Sequence, residues 1–289
     1  MASQDQILRF MFDDTDIRGD VVTLYESYQT AVVSHNYPPG VSKLLGEFVA
    51  AATLLSTTIK FAGSIILQAR SEGQVPTIMA ECSNDLRVRA IARDAENATS
   101  ENFNELLADG TLAITIDPVK GKRYQGIIPL SGGSLAECLA EYFTQSEQLN
   151  TRFWLTADEQ HCSGFMLQEL PPSKTIAPEL REQQWEHFTH LASTISDQEL
   201  LTLDHQELLY RLYHEDNVRV FDSREVRFGC SCSESRTREL IRSIGATEAN
   251  AIIADEGVIQ VLCEFCNHDY QFDSAAVDAI FSQDDPALH

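Results

Sequence analysis

The pattern of apolar and polar residues changes character near residue 170. Before that point strand-like and helix-like stretches alternate. Asp16-Ile17-Arg18-Gly19-Asp20 leads into Val21-Val22-Thr23-Leu24-Tyr25, which has strand character. Tyr37-Pro38-Pro39-Gly40 predicts a turn, after which Leu44, Leu45, Phe48, Val49, Ala52 and Leu55 recur at helical spacing. A strand broken at Gly63 is expected over 59–68, with two more over 75–81 and 86–92. A short helix over 102–108 stops at Gly110. Strand-like residues 112–116 and 124–128 flank Asp117-Pro118-Val119-Lys120-Gly121, the pattern of a hairpin. Ser134 with Glu137 fits a capping box opening a helix that runs through Phe143, and strands are expected over 152–156 and 162–170. Mixed strands and helices with a hairpin predict an α+β class, with an N-terminal mixed α/β-sheet core domain over 1–177.

Pro171-Pro172 ends this region, and from 178 to 215 the chain turns helical. Trp185, Phe188, Leu191 and Ile195 form one apolar stripe. Ser196 with Glu199 is a second capping box, and Asp204 caps a segment holding Leu208, Leu209 and Leu212. Short amphipathic helices are marginal alone in water. Residues 178–224 therefore predict a helical linker docked on its neighbour, released when that support is lost.

The remainder, 225–289, is organised by four cysteines. Cys230-Ser231-Cys232 and Cys263-Glu264-Phe265-Cys266 are two close pairs. Four thiolates fit the tetrahedral shell of Zn2+, whose neighbouring sulfurs lie roughly 3.8 Å apart at Zn–S distances of about 2.3 Å. Four unrelated buried thiols are the alternative, which the pairing disfavours. The first pair is C-x-C, where zinc ribbons commonly use C-x-x-C. In extended chain its two side chains share a face, so it can ligate a metal or close on itself as a strained, easily reduced disulfide. A helix over 238–244 ended by Gly245, a second over 248–254, a strand over 258–262 and another at Tyr270-Gln271-Phe272 complete a small module. About 65 residues bury too little to be secure alone, so the fold is expected to depend on zinc.

Composition narrows the function. With 21 basic and 44 acidic residues the net charge is −23, and residues 225–289 carry twelve acidic residues, four arginines and no lysine. That charge opposes nucleic-acid binding, the usual work of zinc ribbons. No run of about 18 apolar residues suggests a membrane span. The polar, acidic start Met1-Ala2-Ser3-Gln4-Asp5 is not the pattern expected of a signal peptide. A cytoplasmic location is expected, where thiols stay reduced and metal is favoured over structural disulfides. Cys82, Cys138 and Cys162 are scattered singly and predict small core residues. His187 and His190, the acidic run Asp13, Asp14 and Asp16, and the loop Gly132-Gly133 read as solvated surface rather than metal, calcium or phosphate sites. No catalytic constellation stands out, and the chain is not expected to be an enzyme.

Several stretches together resemble the heat-shock protein 33 family of redox-regulated holdase chaperones. They are Ile17-Arg18-Gly19, Leu45-Gly46-Glu47, Ile59-Lys60-Phe61-Ala62-Gly63, Tyr124-Gln125-Gly126, Glu141-Tyr142-Phe143-Thr144-Gln145-Ser146-Glu147-Gln148, Arg211-Leu212-Tyr213-His214-Glu215 and the two cysteine pairs. The resemblance implies a substrate-binding core, a metastable linker and a redox-switch domain. It implies that reduced Cys230, Cys232, Cys263 and Cys266 hold one zinc and the chaperone is inactive. Oxidation then forms the 230–232 and 263–266 disulfides, expels zinc and unfolds the linker. The exposed surface binds unfolding client proteins, the active form is a homodimer, no ATP is used, and clients pass to ATP-dependent foldases. Neither nucleic acid nor membrane is an expected partner. Two other readings stay open: a thiol–disulfide oxidoreductase using Cys263 and Cys266, which needs a thioredoxin-like context, and a zinc-ribbon nucleic-acid adaptor.

Overall fold

The computed structural model describes residues 5–33, 35–60, 62–172 and 176–282. The polar start at 1–4, Phe61 of the motif at 59–63, and the end of the C-terminal module at 283–289 lie outside the described residues. The chain divides into two compact units, one ending at Gly229 and one starting at Cys230.

Two six-stranded sheets with one long helix between them form the centre of the first unit. The first sheet runs β10 (Val218–Val220), β1 (Gln6–Phe12), β2 (Ile17–Leu24), β9 (Cys162–Glu169), β8 (Thr151–Ala157), with β11 (Arg224–Glu225) also paired to β1. The second runs β12 (Arg227–Phe228), β5 (Arg87–Arg93), β4 (Thr77–Ser83), β3 (Gly63–Arg70), β6 (Thr111–Pro118), β7 (Tyr124–Pro129). Pairing is antiparallel except between β12 and β5. Helix α2 (Pro39–Ser56) touches strands of both sheets and buries 14 of its 18 residues. A helix buried over so much of its surface belongs in a core, and Leu45, Phe48 and Leu54 join that core while Lys43 stays exposed. Among the described residues, no helix is long and apolar enough to cross a membrane. The smaller helices α1 (Glu26–Val33), α3 (Phe103–Leu106) and α4 (Leu135–Tyr142), the last continued by a π-helical turn at Phe143–Glu147, add Tyr28, Leu106 and Leu139 to the same core.

Close approach explains two of the glycine motifs. A Cβ on Gly19 would stand 2.0 Å from the Phe10 ring, and one on Gly46 would stand 2.5 Å from the Ala157 Cβ. Two expectations shift. Pro39 and Gly40 open α2 rather than forming a turn, since proline suits the first helical position. The strand expected from residue 59 begins only at Gly63. Thr57 and Thr58 hydroxyls first bond back to the Leu54 and Leu55 carbonyls, and Gly63 already pairs with Pro118, the last residue of β6.

The segment expected as a linker, 178–224, belongs to the first unit, and its helices cover the face of the first sheet turned away from α2. It forms α5 (Pro178–Ala192), α6 (Asp197–Thr202) and α7 (His205–Tyr213). Phe188, Leu200, Leu208, Leu209, Leu212 and Tyr213 join Leu8, Phe10, Phe12, Val21, Phe165 and Leu167 in a second apolar cluster. Phe12 stacks on Phe188 with centroids 3.6 Å apart, and the Tyr213 hydroxyl donates to the Phe188 carbonyl at 3.1 Å. Strand β9, covered on both sides, is buried along nearly its whole length. The Ser196–Glu199 capping box and the Asp204 cap are both formed. The acidic run is more than solvated surface: Arg181 of α5 pairs with Asp16, and Arg219 pairs with Asp13 at 2.6 Å. Helix gives way to strand after Tyr213, where β10 and β11 pair with β1. The linker is thus helical only in its first part, and residues 225–229 stay with the first unit.

The second unit holds α8 (Glu234–Ile244), α9 (Ala246–Glu256), β13 (Ile259–Leu262), β14 (Asp269–Phe272) and α10 (Ser274–Ser282). Gly245, at φ +89°, separates the first two helices. Its core is small: Ile241, Ala249, Ile259, Phe272, Val277 and Ile280.

Candidate metal centre

Local turns place the cysteines. Cys230 and Cys232 precede α8, whose first turn is capped by Ser233 accepting from the Arg236 N–H at 3.3 Å. Arg236 also donates to the Ser231 carbonyl at 2.7 Å, holding the C-x-C backbone. Cys263 and Cys266 lie in the turn between β13 and β14. There the Cys263 N–H donates to the His268 carbonyl at 2.9 Å, the Asn267 N–H donates to the Cys263 carbonyl at 2.8 Å, and Asn267 adopts φ +52°.

These turns gather all four sulfurs within 4.8 Å of one another. Cys230 Sγ lies 3.5 Å from Cys263 Sγ, and Cys232 Sγ lies 3.5 Å from Cys266 Sγ. Every cysteine is a free thiol. The separations exceed a disulfide length of about 2.05 Å and are close to the roughly 3.8 Å edge of a tetrahedral zinc–thiolate shell. Charge makes the same point. Burial first, then the neighbouring Cys232, Cys263 and Cys230, push the Cys266 thiol up to about 12. Thiols this crowded ionise together only beside a compensating cation. The donor set therefore fits a tetrahedral divalent metal such as zinc.

Tyr270 of β14 also belongs to the site, whereas its sequence pattern predicts only a strand. Its hydroxyl lies 3.3 Å from Cys232 Sγ, and that contact, followed by burial, pushes the phenol up to about 12. The available signal was its place four residues beyond Cys266 on the returning strand.

The remaining candidates go elsewhere. Cys82, Cys138 and Cys162 are buried, and burial pushes the Cys82 thiol up to about 12. His187 is exposed and faces Asp216 at 3.2 Å. The cysteines are the only group among the described residues found suited to a metal. The Gly133 N–H donates to the Glu137 carboxylate at 2.7 Å, and that carboxylate also puts a negative charge where a phosphate would sit. Ser134 accepts from the Glu137 N–H as expected, but Glu137 reaches back to Gly133 instead of Ser134. Cys263 and Cys266 occupy a β-hairpin turn, not the βαβ setting of a thioredoxin-like motif.

Two six-stranded sheets around a buried helix, an apolar cover of short helices and a small unit gathering four cysteines together define an α+β protein with a candidate metal site near its C-terminus. The family model described as Hsp33 protein matches residues 5–273, and the chain belongs to the Hsp33 family of chaperones. The 33 kDa chaperonin of Pseudomonas paraeruginosa is 47% identical over 285 residues, covering 98% of this chain and 96% of that protein. That of Ectopseudomonas mendocina is 48% identical over 277 residues, covering 95% and 94%. The crystal structure of the 33 kDa chaperonin (heat shock protein 33 homolog) from Thermotoga maritima has the same fold, with a TM-score of 0.82 at 20% identity over 97% of this chain and 100% of that one. These relatives carry chaperonin names, not enzyme names.

Proposed function

We propose that the chain is a redox-regulated, ATP-independent holdase of the cytoplasm, divided in function into a client-binding core (1–177), a metastable linker (178–224) and a redox switch (225–289). The observation that carries this reading is the convergence of Cys230, Cys232, Cys263 and Cys266 within 4.8 Å in a member of this family. Bound zinc supplies folding free energy, roughly 10–16 kcal/mol at structural sites, to a unit whose own core is only a few side chains.

Oxidation removes the ligands. Two thiols and one peroxide give one disulfide and two waters, and repetition consumes all four donors. The two 3.5 Å approaches join cysteines of different pairs, so the proposed 230–232 and 263–266 bonds form as the cluster loosens. Closing a ring over one or two intervening residues then costs the least chain entropy. Between Cys230 and the helices α5 to α7 only the short strands β12, β11 and β10 intervene, so loss of order at the cysteines meets little resistance on its way to the linker. Linker release uncovers Phe188, Leu208, Leu209 and Leu212 together with Phe10, Phe12 and Phe165 beneath them. Apolar side chains of unfolding clients bind such a surface, and a second copy covers part of it in the active dimer. Clients held without ATP pass to ATP-dependent foldases.

The test is aggregation of a heat-denatured client, followed by light scattering. The reduced, zinc-loaded protein is expected to leave aggregation unchanged. Peroxide-treated protein is expected to suppress it near one-to-one stoichiometry, with or without ATP. Equal activity in both states, or catalytic turnover in insulin reduction, would contradict the proposal.

A further inference from the structure

Tyr270 has no part in the switch described above. It stands opposite Val261 in the β13–β14 register, so the hairpin carrying the second cysteine pair also fixes the tyrosine. Its hydroxyl reaches across to the first pair, at 3.3 Å from Cys232 Sγ. The half-buried ring meets His268 edge-on, with centroids 4.4 Å apart. On the same pair, Cys230 Sγ accepts from the Cys232 N–H at 3.4 Å. A hydrogen bond to a thiolate is charge-assisted. It draws electron density from sulfur, and a less basic sulfur is a weaker nucleophile. Such outer donors also orient metal ligands, and their loss typically costs about 10–100-fold in metal affinity.

We propose that the Tyr270 hydroxyl is a brake on Cys232, orienting its sulfur for metal binding and slowing its oxidation. The inference rests on the metal-site reading and extends it to the control of that site. The step it slows is attack of the Cys232 sulfur on the O–O bond of a peroxide. The sulfur takes one oxygen and becomes a sulfenic acid, and the other oxygen leaves as water. The Cys230 thiol then displaces the sulfenic oxygen as a second water and forms the disulfide. The two thiols lose two electrons and two protons, which the peroxide accepts.

Tyr270→Phe keeps the ring and removes only the donor, while Tyr270→Leu removes both. Full-length parent and variants would be titrated with zinc against a chromophoric chelator. At saturating zinc, hydrogen peroxide oxidation of each thiol would be followed by mass spectrometry of quenched peptides. The Phe variant is expected to bind zinc about tenfold more weakly and to lose the Cys232 thiol about tenfold faster. A parental Cys232 rate in the Phe variant overturns the proposal, even if the Leu variant is fast, because packing would then be the cause. Equal acceleration of all four thiols overturns it too. A parent that binds no zinc overturns the metal-site reading itself, and this proposal with it.

Discussion

Leu209→Asp is expected to make the reduced, zinc-loaded protein an active holdase without oxidant. Leu209 is 3% exposed and sits in the cluster between α7 and the first sheet. Truncating such a leucine alone costs about 2–5 kcal/mol, and a buried carboxylate without a partner adds a further penalty. The total, about 4 kcal/mol or more, is a large loss for short helices that are marginal alone in water. Hydrogen exchange over 178–213 should show α5 to α7 open, and client aggregation should fall without peroxide. A variant with an open linker and no activity would mean that linker release is not the activating step.

Acid is expected to weaken the same docking through His205. This histidine, 9% exposed at the start of α7, faces the Thr23 hydroxyl at 3.0 Å. Burial pushes it down to about 4, against a smaller upward pull from Asp204. In the undocked chain it titrates near 6.5. Its contribution is therefore fully present above about pH 6.5. It declines as pH falls, because only the undocked linker takes up the proton, and roughly 3 kcal/mol is lost by pH 4. Glu47 of α2 works in the opposite sense. Burial first, then Asp197 of α6, push it up to about 7 while Lys43 opposes. Stability tied to Glu47 is present at acid pH and is lost as pH rises toward 7. Comparison with His205→Gln, which keeps a polar partner for Thr23, isolates the histidine. Between pH 6.5 and 4 linker protection should fall more steeply in the parent than in the variant. Parallel profiles would rule the histidine out.

The sequence made some parts of this molecule legible because their causes are local. The cysteine spacing, the Ser196–Glu199 box, the Asp204 cap and the Gly245 break each depend on a few neighbouring residues, and the structure forms them. The apolar stripe of α5 and the α2 pattern were readable from periodicity. Strand β1 is not legible in the sequence because Gln6-Ile7-Leu8-Arg9-Phe10-Met11-Phe12, packed on both faces, does not alternate strictly. Strands β10, β11 and β12 have two or three residues each and exist only through pairing with β1 and β5, which no local pattern encodes. The roles of Asp13 and Asp16 required the linker to arrive beside them. Tyr270 required the register of a hairpin. Helices α1 and α10 were not expected, although Tyr28, Ala31 and Val32 in the one and Val277 and Ile280 in the other are buried at helical spacing.

The central claim is that the four cysteines hold a metal when reduced and release it when oxidised. Zinc bound to the full-length protein, measured before and after peroxide, tests this most directly. The account predicts one zinc per chain in the reduced protein and none once the four thiols are lost. It would be contradicted by reduced protein free of zinc, by zinc that stays bound after the cysteines are oxidised, or by zinc retained when Cys230, Cys232, Cys263 and Cys266 are all replaced by serine.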